Sequence, residues 1–361
     1  MRLPSILLIA SLIASPALLA QGSMKVLKAE VEKRAAADEF TGTVLVAKDG
    51  KPVFEGAYGF AEREGKVPNT PATRFRFGSM GKMFTAVAAL QLVQAGKLSL
   101  DAPVGKYLPD YPNPEVAAVT IEQLLTHTGG TGNIFVPEYF NARLETREHQ
   151  DYLNLFGKRG AGFKPGSRWD YSNYGMLLLG RIIEVVSGQS YYDYTRTHIF
   201  EPLGMSSTGN EPEESHVSNL STGYTHMGPR PGPPGPLRAN TDTLPYRGTA
   251  AGGGYSTAGD LLKFMNGLND HRLLDAAHTG MLFKPRIAAG RPGTEQALGF
   301  SVRTLTDGTA SVGHGGGAPG MNGQLMYFPK TRYLIVVLAN VDPPAADALA
   351  DFIAGALPPS T

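Results

Sequence analysis

The sequence predicts an α+β protein in which one antiparallel β-sheet, flanked by helices, is built from both ends of the chain, with a mostly helical lobe inserted between them. Three observations predict it. Runs 41–48 and 51–58 flank Asp49-Gly50, a dipeptide suited to the left-handed conformations of a two-residue hairpin turn. Four further strand-like runs, 300–305, 310–314, 323–328 and 333–339, come only near the other end, before a helical pattern at 344–356. Between them, from about 79 to 270, helical spacing and long loops prevail, most clearly helices at 120–126 and 174–186. Strands from both ends must share one sheet. The expected division is therefore a sheet lobe of 24–78 and 275–361, a helical lobe of 79–274, and an active-site cleft where the two meet.

The outer elements and the composition narrow the class. The chain has 361 residues, 42% hydrophobic and 18% charged, enough for two lobes. A formal net charge of +1, with no block of like charges, gives no field for capturing nucleic acid or an anionic membrane, so a small molecule or short peptide is the expected partner. The absence of cysteine excludes disulfides, a lipid-modified cysteine and thiolate metal sites. Residues 1–20 combine Arg2 with an apolar stretch at 6–14 and read as a secretory signal, cut after Ala17 or Ala20; Pro4 and Pro16 leave too short a clean span for a membrane anchor. Export to the periplasm or beyond follows from that reading. A charged amphipathic helix is expected at 25–38, and the Pro- and Gly-rich stretch 228–236 reads as a surface loop rather than a rim of the cleft.

Chemistry enters at Ser79-Met80-Gly81-Lys82. Residues three apart on a helix share a face, so the Lys82 amine reaches the Ser79 hydroxyl. Alone, such a spacing describes a helix cap and a surface lysine. Here it is the only Ser-x-x-Lys, an extended segment at 74–78 precedes it, and the helix that follows, 83–93, is apolar almost all round, as a buried helix is. Burial and the helix dipole both disfavour a charged amine there, making Lys82 a proton acceptor or field source beside Ser79.

Supporting groups are then needed. Tyr-x-Asn recurs along the chain. Tyr111 lies in a proline-rich loop and Tyr152 in a charged helix, both surface or packing residues, whereas Tyr171-Ser172-Asn173 precedes an apolar helix, where a phenol near an ammonium loses its proton more easily. Among the His-x-Gly sequences, His127 falls in a capping turn and His278 on a helix, both structural, while His314-Gly315-Gly316-Gly317 ends a strand, read as an edge strand that offers unhindered N–H groups to a substrate. No His-Glu-x-x-His or clustered His and carboxylate spacing points to a metal. Ser256, in a near match to Gly-x-Ser-x-Gly, reads as a helix cap because the alternating strands and helices of an α/β-hydrolase are missing.

Together with 124–130, 202–205 and 254–261, these motifs make the chain resemble the serine β-lactamase and penicillin-binding-protein superfamily, in its class C-like branch with family VIII carboxylesterases and D-stereospecific peptidases. The resemblance implies a β-lactamase/transpeptidase-like fold and an acyl-enzyme on Ser79, with Lys82 and Tyr171 sharing the proton work and the identity of the base left open. It implies an oxyanion hole from the N–H groups of Ser79 and Gly317, with Gly316 beside it, an Asn173 that binds the acyl side chain or steadies Lys82, and no cofactor. The chain departs from lactamases where they carry lysine, a hydroxyl residue and glycine on the cleft strand: His314, Gly315 and Gly316 remove both carboxylate-binding groups, which turns the expectation toward a carboxylesterase on small neutral esters. A D-alanyl-D-alanine carboxypeptidase, a D-aminopeptidase, a weak β-lactamase and a non-catalytic penicillin-binding module are the alternatives.

Overall fold

Antiparallel pairing ties the two ends of the chain together. The structure, a computed structural model, describes residues 16–358, with side chains from residue 24 onward. Its main sheet comprises β1 (Gly42–Lys48), β2 (Lys51–Tyr58), β3 (Ile287–Ala288), β4 (Thr294–Gln296), β5 (Ser301–Thr304), β6 (Ala310–Ala318), β7 (Met321–Phe328) and β8 (Tyr333–Ala339). The spatial order is β2-β1-β8-β7-β6-β5-β4-β3, every pair antiparallel. Asp49 and Gly50 both take positive φ, 51° and 74°, in the turn that joins β1 to β2. β1 lies directly beside β8, Gly42 opposite Ala339 and Lys48 opposite Tyr333.

The helices of twelve residues or more are α1 (Pro16–Ala36), α2 (Lys82–Gln94), α3 (Asn173–Ser187), α4 (Ala258–Asn269) and α5 (Ala345–Ala356). Alternation along the strands gives the sheet two apolar faces. Val44, Val46, Ile335 and Val337 pack with Leu27 and Val31 of α1 and Leu349 and Ile353 of α5. Leu45, Ala47, Val336 and Leu338 face the larger core, which holds α2, α3 and α4. Among the described residues, nothing between 79 and 274 joins the main sheet.

Phe84 sits near the middle of that larger core, 2% exposed, with its ring edge-on to Phe77, Phe200 and Phe264 at centroid distances of 5.8, 5.1 and 4.8 Å. Phe84→Ala is expected to cost about 3–5 kcal/mol of stability, the range for truncating a buried phenylalanine, read as a lower denaturant midpoint with an unchanged slope.

Several expectations need correction. The signal reading falls, up to residue 15, outside the described residues; from Pro16 the chain is already in α1, which extends the helix expected at 25–38 toward the N-terminus. No helix among the described residues is long and apolar enough to cross a membrane. β6 continues through its glycines to Ala318, because β7 pairs with it residue by residue from Val312 to Ala318; glycine weakens a strand in isolation, so the extension is a tertiary effect. Nor is β6 an edge strand: β5 covers it from Ala310 to Gly313 and then stops, so only the stretch from His314 onward has a free edge. The extended segment at 74–78 shrinks to Phe75–Arg76, paired with Tyr255–Ser256. Ser256 lies in that pairing, and Thr257 is the cap of α4, its side chain accepting the Asp260 N–H at 3.1 Å.

Candidate active site

A single turn of 3-10 helix, Gly78–Gly81, carries Ser79 between Phe75–Arg76 and α2. The segment around Gly252–Gly254 braces it: Phe77 N–H donates to Gly254 O at 3.1 Å and Gly253 N–H to Gly78 O at 3.0 Å. The approach is close enough that a Cβ on Gly252, whose φ is +124°, would overlap Gly78 O. From the other side β6 presses on the turn. A Cβ on Gly316 would overlap Phe77 O and stand 2.9 Å from Ser79 N, and one on Gly78 would stand 2.9 Å from Gly317 N. Glycine at 316 is thus a steric requirement of bringing the Ser79 and Gly317 amides to one space.

Lys82, the first residue of α2, is fully buried. Its Nζ donates to Asn173 Oδ1 at 2.7 Å and Ala251 O at 2.5 Å and lies within hydrogen-bond distance of Ser79 Oγ at 3.1 Å. None of these acceptors is a carboxylate, and burial holds the Lys82 pKa well below the ordinary lysine range. Asn173 is oriented in turn: its Nδ2 donates to Asn133 Oδ1 at 2.9 Å, which leaves Oδ1 for the amine. The Ala251 carbonyl is a partner that sequence does not reveal, because any residue supplies one. The turn that presents it is fixed one residue earlier by a buried set: His149 Nε2 accepts the Ala250 N–H at 3.1 Å while His149 Nδ1 pairs with Glu184 at 2.8 Å, and Thr85 Oγ1 donates to Ala250 O at 2.7 Å.

Tyr171 stands just before α3, whose cap is Ser172, its Oγ accepting the Gly175 N–H at 2.9 Å. The Lys82 Nζ lies 4.8 Å from the Tyr171 ring centroid. Burial raises the phenol pKa, and a hydrogen bond with Ser79 only partly offsets the rise. The sequence expectation of an easily ionised phenol is therefore reversed: burial disfavours the phenolate by more than the hydrogen bond with Ser79 favours it. His127, expected to be merely structural, packs its ring 4.6 Å from that of Tyr171, and its Nδ1 accepts the Ser172 N–H at 3.3 Å. Tyr111 and Tyr152 are buried packing residues, and His278 pairs with Asp275 on a helix away from this cluster.

His314 is 6% exposed and its ring stands 6.4 Å from that of Tyr171. Burial, reinforced by Lys82 and opposed by a hydrogen bond to Gly315 O, pushes its pKa down to about 4, so it is neutral near pH 7. With Nδ1 donating to that carbonyl, Nε2 is left as a buried acceptor without a partner among the described residues. The space a side chain at 315 would need is taken by Gln324 Oε1 and, 3.4 Å away, Asp347 Oδ1. Two cavities meet at Ser79 and Gly317: one of about 990 Å³ containing Tyr171, Trp169, His314, Arg291 and Asp347, and one of about 380 Å³ on the opposite side, toward Asn173. The loop at 228–236 does rim the cleft, contrary to expectation, with Pro229 and Pro231 at the smaller cavity and Pro234 at the larger.

Comparison with known proteins agrees with this fold. The Beta-lactamase family matches residues 27–357. Penicillin-binding protein 4* of Bacillus subtilis is 28% identical over 343 residues, 89% of this chain and 72% of that protein. The crystal structure of a penicillin-binding protein from Bacillus halodurans superposes with a TM-score of 0.80 at 31% identity, covering 89% of this chain and 99% of that one. A D-stereospecific amidohydrolase from Streptomyces superposes with a TM-score of 0.76 at 25% identity, covering 92% and 97%.

Proposed function

Since this chain belongs to the Beta-lactamase family, we propose that it is an exported serine hydrolase acting as a carboxylesterase on neutral esters through an acyl-enzyme on Ser79. The observation that carries the reading is a buried Lys82 amine 3.1 Å from Ser79 Oγ, in a site whose cleft strand bears acceptors where a carboxylate would need donors. Neutral Lys82 takes the Ser79 proton as Oγ bonds to the ester carbonyl carbon. The N–H groups of Ser79 and Gly317 hold the resulting oxyanion. As the carbon to alkoxy-oxygen bond breaks, the neutral Tyr171 phenol gives its proton to the leaving alcohol and regains one from Lys82. Water then repeats the sequence on the Ser79 ester and releases the acid. Asn173 and Ala251 hold the amine in line throughout.

The groups that a carboxylate would meet in the larger cavity favour an ester over a peptide. Around Gly315, a neutral His314 Nε2, Gln324 Oε1 and Asp347 Oδ1 present acceptors rather than donors to a carboxylate leaving group. Arg303 lines the same cavity but is committed to Asp351. Arg291 is the observation that favours a peptidase, since it lines the cavity and has no ion-pair partner among the described residues. The test is a comparison of p-nitrophenyl butyrate with a D-alanyl-D-alanine peptide. The ester is expected to lead in kcat/KM by at least ~10²-fold, and Ser79→Ala to abolish the reaction. A lead for the peptide, lost on Arg291→Ala, would instead identify a carboxypeptidase. Export predicts a mature N-terminus after Ala17 or Ala20, read by mass spectrometry of the secreted or periplasmic protein.

A further inference from the structure

The two cavities at Ser79 are chemically unlike, and their placement relative to the proton donor assigns them. Tyr171 and His314 line only the larger one, Asn173 only the smaller. A departing alcohol or amine must be within reach of the phenol that protonates it, so it occupies the larger cavity, and the acyl half is left with the smaller. We propose that the cavity walled by Ile134, Phe135, Tyr139, Phe140 and Met227 binds the acyl half of the substrate, and that this acyl group is bulky, apolar and uncharged, an arylalkyl or medium-chain group without a free α-amino group. The inference rests on the reading of Ser79 as the acylated nucleophile and adds the acyl class to it.

Three observations support it. The walls are aromatic and aliphatic: Ile134 and Tyr139 are each 5% exposed, while Phe135, 55% exposed, forms the rim, with its ring 6.4 Å from Phe140 and 6.0 Å from Tyr139. The volume of about 380 Å³ is far more than an acetyl group fills. No Asp or Glu lines the cavity among the described residues, and its one charged group, Arg230, donates to Asn141 Oδ1 at 2.7 Å, which ties the proline-rich loop to the helix Pro137–Ala142. A substrate with a protonated α-amine would bury that ammonium without a carboxylate partner and next to an arginine, which is unfavourable. The free D-aminoacyl group of an aminopeptidase substrate therefore fits poorly.

The experiment keeps the leaving group constant and varies the acyl half. Among p-nitrophenyl esters, kcat/KM is expected to rise from acetate to hexanoate by about fourfold per methylene, the equivalent of about 0.8 kcal/mol per buried CH₂. Ethyl 3-phenylpropanoate should exceed D-phenylalanine ethyl ester, which differs only by the α-ammonium, by at least ~10-fold. Phe135→Asp should narrow the hexanoate-to-acetate ratio at least ~5-fold; its exposed position makes it compatible with folding. Inactivation by p-nitrophenyl alkylphosphonates of increasing chain length reads the same preference without turnover. A flat or falling chain-length profile with brisk acetate hydrolysis, or a preference for the D-phenylalanine ester, overturns the pocket assignment and leaves the esterase reading standing. Faster hydrolysis of the corresponding amides with the same acyl preference does the reverse. Absence of both turnover and inactivation overturns both.

Discussion

Lys82→Met is expected to lower kcat/KM for a neutral ester by roughly 10²–10⁴-fold, the range for removing a general base, while leaving the chain folded. Methionine nearly fills the volume of the lysine stem, and the relief of a buried amine offsets the two acceptors, Asn173 Oδ1 and Ala251 O, that lose their donor. Circular dichroism and a thermal melt check the fold beside the kinetics. The same assignment fixes the pH profile. A base works only when deprotonated, so wild-type kcat/KM should rise with pH through the depressed Lys82 pKa and level off before about pH 10, the ordinary tyrosine value. His314, with a pKa near 4, adds no limb close to neutrality. Because burial raises the Tyr171 pKa, a profile that still climbs above pH 10 would move the base to Tyr171.

Gly316→Ala is expected to be nearly as damaging by a different route. The added Cβ would overlap Phe77 O and stand 2.9 Å from Ser79 N; both are backbone atoms, so no side-chain rotation relieves the clash. Separating β6 from the Ser79 turn displaces one oxyanion donor from the other. The predicted loss is about 10²–10³-fold in kcat, with about 1–3 kcal/mol of stability lost to overpacking. Parallel measurement of kcat and the unfolding midpoint in urea checks both parts. A stable Gly316→Ala protein with wild-type turnover would remove the close approach of β6 from the account.

The residues that were legible in sequence are those whose chemistry is local. Asp49-Gly50 announces its hairpin because few dipeptides take two left-handed conformations. Ser79 and Lys82 meet because helical spacing puts them on one face, and Ser172 before an apolar run announces the start of α3. What was hidden depends on long-range contact. The glycines of β6 are a strand only because β7 runs beside them, and the Ala251 carbonyl reaches Lys82 only because His149, Glu184 and Thr85 fix its turn across more than a hundred residues. The direction of the Tyr171 shift is hidden for the same reason: spacing places a phenol near an amine, but burial disfavours the charged form of both. The proline-rich loop resembled a passive surface segment because its docking partner, Asn141, lies about ninety residues earlier in sequence.

The central claim is that Ser79 is the nucleophile of this site, and covalent labelling with a fluorophosphonate followed by peptide mapping tests it most directly. One adduct is expected, on the peptide carrying Ser79, formed in step with loss of esterase activity and absent from Ser79→Ala. An adduct on the peptide carrying Ser256, or full inactivation with Ser79 unmodified, would contradict it.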